Sequence, residues 1–421
     1  MNTLEQAIQY IDEGRAEEGL KILETIVQKG TDEEKYYIAR YYHTLGFLEQ
    51  SLVIMEDLCL LYPEESELTL FLAELYIDFD REDEAIEALN HVNEGDDLYV
   101  QALLLLADLY QMQGFDEVAE QKLLKAKEKL PEEPVITFGL GEFYSSRGDF
   151  VKAVPYYMTL LPEHTEMGDV NIPLRLAEAL SALGKWEEAI SYYEMGLKEH
   201  KDIHTLFGYA FTLYQAQLYQ RALPVFLELK ELDPQYSALY VYAAHCYEEE
   251  GMLQESYETL REGLKTDEFS VEFHVRLADA AAKLGKTEET EAALLEALAL
   301  DPGHLEAVLK YIYVLKQQGK YEEIKEAVQI AGENGEDDPQ LTWDLANAEK
   351  ELEQYSDALN HYRDAYTSFK DNLSFLEEYG YFLLEEGMRQ EAREVFGRLL
   401  QLDPAQAHIE ELLYNLEDLQ N

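Results

Sequence analysis

Carboxylates at Glu74, Asp108, Glu142 and Glu178 follow one another at intervals of 34, 34 and 36 residues. General acid–base chemistry needs two such groups converging on one pocket, whereas acids repeated at a long fixed interval are laid out in a row. A row suits a different task, the holding of several cations along an extended ligand. Each exposed pair then contributes at most about 1 kcal/mol, so several must act in register. Other residues that could do chemistry are poorly placed for it. His200 and His204 straddle a loop in KEHKDIHT with only Asp202 beside them, which falls short of a metal-ligand set. Gly139 and Gly141 in TFGLGEFY imitate a phosphate-binding loop, but they lie inside a helical pattern where small residues permit tight packing, without the strand-to-helix turn that binding requires. No HExxH, GxSxG, P-loop or paired CxxC occurs. The expectation is a protein that is not an enzyme and has no catalytic residues, cofactor or metal.

The acids keep step because the segments that carry them repeat. LAELYIDFDREDEAIEALNHV at residues 72 to 92 is followed by LADLYQMQGFDEVAEQKLLKA at 106 to 126, by LGEFYSSRGDFVKAVPYYMTL from Leu140 and by LAEALSALGKWEEAISYYEMG from Leu176. In the first of these, Leu72, Ala73 and Tyr76 share one helical face, and Ala85, Leu89 and Val92 share a second, so each unit is a helical hairpin. Glycine, which accepts the left-handed conformation closing a helix, marks the turn at Gly14, Gly46, Gly114, Gly148, Gly184, Gly251, Gly285, Gly319 and Gly387. Asp80, Gln217 and Glu353 occupy the same phase without glycine, giving twelve turns separated by 32, 34, 34, 34, 36, 33 and then five times 34 residues. Small residues recur early in the second helix, at Ala85, Ala119, Ala153, Ala189, Ala222, Ala358 and Ala392, where paired helices must approach closely. Gly19, Ser51, Ser256, Thr290 and Ile324 depart from alanine there. Proline ends many units, at Pro63, Pro131, Pro234, Pro302 and Pro404.

At 421 residues the chain exceeds what one compact core supports, roughly 250 to 300 residues, and a stack of hairpins that pack only on neighbours escapes that limit. A hydrophobic fraction of 47% and an aromatic fraction of 12% predict a chain folded throughout. The 33 basic against 87 acidic residues leave a net charge of −54, which repels nucleic acid and anionic lipid. Residues 41 to 121 hold 20 acids and one basic residue, Arg81. That surface either keeps the chain soluble or docks a basic partner. The start MNTLEQAIQYIDEG has no basic stretch followed by an apolar one and no apolar run reaches membrane-spanning length, so neither secretion nor membrane insertion is expected and the expected location is cytoplasmic. Cys59 and Cys246, far apart and each in an apolar helical segment, read as buried structural thiols of a reducing compartment.

The period, the LAxxY first helix, the turn glycine, the second-helix alanine and the closing proline together resemble tetratricopeptide repeats, over essentially all 421 residues. The long acidic chain without an enzyme domain also resembles the YpiA-type tetratricopeptide proteins of Gram-positive bacteria. The resemblance implies an all-α fold, a right-handed superhelical solenoid of about twelve hairpins over residues 1–404. Residues 405–421 are expected to form a C-terminal capping helix with Ile409, Leu412, Leu413, Leu416 and Leu419 on one face. A change of curvature or hinge is expected near 161–173, where LPEHTEMGDVNIP lengthens one period, and GENGEDDP at 332–339 is a second register break. The first helix carries Leu4, Ala7, Ile8 and Ile11 with few charges, an apolar strip for a partner or for self-association.

In that family the first helices line a concave groove, so their non-packing residues are expected to meet the ligand. Two positions beyond the leucine of each LAxxY-like segment lie Glu74, Asp108, Glu142 and Glu178, later joined by Asp279, with Asp78 one turn beyond Glu74. The corresponding face then turns aromatic: His204, Phe207, Phe211 and Tyr214 come from one first helix, Val241 and His245 from the next. Tyr313, Trp343 and Tyr381 continue the theme, mixed with Lys283, Lys316 and Lys350. Subtypes that clamp a terminal carboxylate use Lys, Arg and Asn on this face, and those that hold peptide backbone use an asparagine ladder; here acids stand instead and Asn347 is nearly alone. The reading is a non-catalytic scaffold or adaptor gripping a basic, partly aromatic or aliphatic segment of another protein, with affinity from the rings and selectivity from the acids. The alternative is an assembly factor or holdase that shields a basic protein from nucleic acid.

Overall fold

The computed structural model describes residues 3–198 and 201–418. They form two compact units, Met1–His200 and Lys201–Asn421.

Unit 1 holds six hairpins: α1 (Thr3–Asp12) with α2 (Ala16–Lys29), α3 (Asp32–Thr44) with α4 (Leu48–Leu61), α5 (Ser66–Asp78) with α6 (Glu82–Asn90), α7 (Tyr99–Met112) with α8 (Asp116–Lys129), α9 (Pro134–Ser146) with α10 (Phe150–Leu160), and α11 (Ile172–Ala182) with α12 (Trp186–Gly196). Unit 2 holds six more: α13 (Ile203–Gln215) with α14 (Tyr219–Leu232), α15 (Ala238–Glu249) with α16 (Leu253–Gly263), α17 (Val271–Lys283) with α18 (Thr287–Leu300), α19 (Leu305–Gln318) with α20 (Tyr321–Glu333), α21 (Pro339–Glu351) with α22 (Tyr355–Phe369), and α23 (Leu373–Glu385) with α24 (Arg389–Leu402). A last helix, α25 (Ala407–Asp418), follows. This is the all-α tetratricopeptide solenoid architecture, with almost no strand.

All twelve turns fall where the repeat places them, each with a residue at positive φ. Asp80, Gln217 and Glu353 take φ of 55°, 58° and 60°, a conformation that costs a non-glycine residue roughly 1 kcal/mol and is tolerated because the helices on both sides fix it. The seven second-helix alanines are completely buried. Ser51 replaces one of them by donating its hydroxyl to the Ala39 carbonyl at 2.7 Å, so its buried oxygen is satisfied. A Cβ on Gly19 would come within 2.5 Å of Ile11 and 2.7 Å of the Ala7 carbonyl, which explains why this hairpin needs glycine there. The same close approach accounts for Gly141, whose Cβ would sit 2.7 Å from the Tyr157 ring; Gly139 is ordinary, with 3.8 Å to Leu123.

The lengthened period at 161–173 contains a short antiparallel ladder, Glu166–Met167 paired with Val170–Asn171 around Gly168 at φ 59°. Asn171 then caps α11, accepting from the Leu174 amide at 3.1 Å. Most of the apolar strip on α1 is used internally: Ala7 is fully buried and Leu4 and Ile11 pack in the same core cluster. On α25, Ile409 is fully buried and Leu412 and Leu413 pack beside it; the Leu416 and Leu419 side chains lie outside the described residues. Cys246 is buried, while Cys59 packs against the first core cluster but is only half-buried, a departure from the expectation of two buried thiols. Burial pushes their thiols up to about 12 and about 11, so neither is a ready nucleophile at neutral pH. No helix among the described residues is long and apolar enough to cross a membrane.

Candidate functional site

Within each unit, neighbouring first helices are joined by side chains that reach across from one hairpin to the next. In unit 1, His43 Nε2 on α3 meets Asp78 on α5 at 2.7 Å, and Gln111 on α7 donates to Ser146 on α9 at 3.0 Å. Arg175 on α11 lies 3.3 Å from Glu142 on α9 through its Nε, and its Nη1 donates to Glu178 at 3.2 Å. Glu142 also accepts from the fully buried Tyr157 at 2.6 Å. In unit 2, Lys283 reaches back from α17 to Glu248 on α15, Lys310 from α19 to Asp279 on α17 at 2.6 Å, and Lys316 forward to the buried Asp344 on α21. Trp343 on α21 donates its Nε1 to Glu378 on α23 at 3.1 Å.

The row of acids read from the repeat is therefore largely paired within the chain. Asp78, Glu142, Glu178 and Asp279 each face a basic side chain. Glu74 lines a cavity of about 420 Å³ that also contains Arg40, Tyr41 and Phe71. Neither Glu74 nor Asp108 has a hydrogen-bond or ion-pair partner among the described residues, and Asp108 also lacks a basic side chain beside it. Its side chain is exposed, yet the wall crowds it with protein atoms, and that partial desolvation pushes its carboxyl up.

One pair of first helices is joined by rings instead. Phe207 and Phe211 stack at 6.0 Å on α13, and Phe211 continues to Tyr214 at 6.2 Å. Tyr242 of α15 leans edge-on against Phe211 and Tyr214, each at 5.1 Å, and Tyr214 meets the His245 ring at 5.3 Å. All these rings are half-buried. Tyr214, Tyr242 and His245 line a cavity of about 360 Å³ together with Val241, its charged side carrying Glu248, Glu272, Arg276, Asp279 and Lys283, while Phe207 and Phe211 back this wall from behind Tyr214 and Tyr242. His245 Nδ1 is buried without a hydrogen-bond partner among the described residues. Such a wall can take up an apolar or aromatic side chain, and its carboxylates can meet a neighbouring cation.

The other anticipated residues are dispersed. His204 is exposed near the start of α13, and His200 lies outside the described residues. Tyr313 is 65% exposed. Trp343 packs on Phe369 and Phe375 at 5.1 and 5.3 Å, and Tyr381 packs on Phe396 at 5.3 Å, so both serve the interior of unit 2 in part. No group of three or more potential metal ligands occurs among the described residues.

Sequence reasoning missed Arg175, Tyr242, Glu248, Glu272 and Arg276. Arg175 stands three residues before Glu178 and Tyr242 three before His245, so both share a helical face with a residue already singled out. Extending each candidate by one turn would have found them.

Comparisons with known proteins agree with the repeat. A family model of YpiA-like, C-terminal tetratricopeptide repeats matches residues 339–406, and one of YpiA-like tetratricopeptide repeats matches 111–165. General tetratricopeptide models match 174–203 and 254–323. The chain is 44% identical over 419 residues to the TPR repeat-containing protein YpiA of Bacillus subtilis (strain 168), covering 99% of each chain. Among solved structures, the C-terminal part of a TPR repeat-containing protein from Cytophaga hutchinsonii is similar with a TM-score of 0.49 and 16% identity, over 57% of this chain and 98% of that one. YrrB, described as a TPR protein with an unusual peptide-binding site, is similar with a TM-score of 0.39 and 18% identity, over 44% of this chain and 95% of that one.

Proposed function

The chain belongs to the YpiA-like tetratricopeptide repeat family, and we propose that it is a non-catalytic scaffold that holds a basic, partly aromatic or aliphatic segment of another protein. Tetratricopeptide proteins generally mediate protein–protein interaction. The observation that carries the finer reading is the ring wall of α13 and α15, half-buried and open on a cavity of about 360 Å³ that also presents Glu248, Glu272 and Asp279. Aromatic side chains held in a row lose little entropy on binding and bury a large area, which makes them anchors. The adjoining carboxylates are partly compensated by Lys283 and Lys310, so an incoming Lys or Arg exchanges one pairing for another. Cations therefore contribute selectivity and little net affinity. The two unpaired thiols and the Bacillus subtilis relative support a bacterial cytoplasmic setting.

The test is fluorescence anisotropy of the full chain with a synthetic peptide alternating Lys with Phe and Leu, beside a control in which Glu replaces Lys. Tyr214→Ala and Phe211→Ala are each expected to weaken binding by at least about tenfold. Raising salt should weaken it further. Equal affinity of the two peptides, or an undiminished affinity in both variants with unchanged circular dichroism, would sink the reading.

A further inference from the structure

The second helix of the second hairpin, α4, carries on its solvent side large aliphatic residues at two positions where no other second helix has one. Val53 is 59% exposed and Leu60 is 81% exposed. Counted from the turn, the position of Val53 holds Lys21, Glu87, Glu258, Glu326 and Glu394 in five of the other hairpins, and proline, alanine or an uncharged polar residue in the rest. The position of Leu60 holds Glu94, Glu128, Glu231 or Glu333 in four hairpins and no aliphatic residue larger than alanine or proline in any other. Leu61, 61% exposed, is less unusual, because Leu232, Leu300 and Leu402 share its place. Two large aliphatic residues thus replace the solvating ones in a single hairpin of a chain with net charge −54.

The two are seven residues apart, so they stand on one side of the helix about 10.5 Å from each other. Asp57, exposed, lies between them on the same side, at four residues from one and three from the other. Val53 also borders a surface cleft of about 380 Å³ between α2 and α4, whose wall adds Val27, Tyr42 and Ile54 and whose rim carries Glu24 and Glu49. The face therefore reads acid, aliphatic, acid, aliphatic from Glu49 through Val53 and Asp57 to Leu60, along about three helical turns.

We infer that this outer face of α4 docks a basic amphipathic helix of a partner protein, with two aliphatic side chains seven residues apart and a Lys or Arg between them. The first aliphatic residue enters the cleft beside Val53, the second covers Leu60 and Leu61, and the cation meets Asp57. Charge selects this occupant over a second copy. A two-fold pairing of α4 with itself would bring Glu49 and Asp57 of one copy among the same acids of the other, in a stretch where residues 41 to 121 offer one basic residue to 20 acids. The surface lies outside the ring wall of α13 and α15, so the two sites fail or succeed separately.

The experiment uses the full chain and a helix-forming synthetic peptide of roughly 20 residues with leucines at that spacing and lysines between and beside them. The Val53→Lys, Leu60→Glu double variant takes the residues that other hairpins carry, so it is expected to fold, and it should weaken the peptide by at least about tenfold in isothermal titration calorimetry. Asp57→Lys is the second arm: it should weaken the lysine peptide and favour a version with glutamate at the centre. The inference fails if the double variant binds as wild type does or if Asp57→Lys does not alter the preference. Sedimentation showing a wild-type dimer that dissociates in the double variant would assign the face to a second copy instead. Flotation with phosphatidylcholine vesicles, lost in the double variant, would assign it to lipid.

Discussion

Glu142 and Phe211 occupy the same register, each six residues before the turn of its hairpin, Gly148 in one case and Gln217 in the other. In the fifth hairpin that position is a carboxylate held by Tyr157 from its own hairpin and by Arg175 from the next. In the seventh it is a ring held by Phe207 and Tyr214 on its own helix and by Tyr242 on the next first helix. The repeat fixes where the side chain stands and leaves its chemistry to the neighbour. Where the neighbour offers a guanidinium, the wall closes on itself and its charge is spent inside the molecule. Where the neighbour offers rings, packing satisfies only part of each surface, and half-buried aromatic area remains for a ligand.

Exchanging the two chemistries should do the most damage. Phe211→Glu would put a carboxylate among Phe207, Tyr214 and Tyr242, rings that offer it no cation. Desolvation without compensation is expected to cost about 2–4 kcal/mol, seen as a lower midpoint in urea unfolding, together with loss of the Lys/Phe peptide. If the midpoint is unchanged, the ring wall is looser than its centroid distances indicate. A smaller effect is expected from removing the cation on the other side of the comparison. Arg175→Met leaves Glu142 with Tyr157 alone and Glu178 without a partner. Because the Arg175 side chain is 39% exposed and water screens the pair, the loss should be about 1 kcal/mol. A double-mutant cycle with Glu142→Gln measures the coupling directly; a coupling within error of zero would mean that the bridge is incidental.

What could be read in advance follows the same division. Turn positions were legible even at Asp80, Gln217 and Glu353, because the period demands a left-handed residue there whatever its type. The close helix crossings were legible from Ala85 or Ala153 for a similar reason. The carboxylate row was legible as a row, but its pairing was not: Arg175 belongs to the helix after Glu142, and reach between two hairpins depends on side-chain direction, which has no period. Tyr242 escaped notice because it lies one turn from the phase being counted. The ladder of Glu166–Met167 with Val170–Asn171 was visible only as a longer interval, since two-residue strands carry no pattern of their own.

Asp108 supplies the third case of the same register, with neither a guanidinium nor rings to meet it, and it carries the smallest expected effect. Partial desolvation holds its folded carboxyl above its unfolded value of about 3.8. A carboxylate raised on folding is more protonated in the native state, so its ionisation opposes folding, and stability falls as pH rises through the folded pKa. Below the unfolded value the opposition vanishes. Asp108→Asn removes it altogether, so the variant should gain a few tenths of a kcal/mol at neutral pH, small because the side chain is exposed. That gain should shrink to nothing as pH drops through the carboxylate range. Thermal melts of both proteins across that range decide the matter. A gain independent of pH would trace to the amide's own contacts, and no gain at all would mean that water solvates Asp108 as fully as its exposed area allows. The register would then tolerate a lone acid as readily as a paired one, and the contrast between Glu142 and Phe211 would rest on the rings alone.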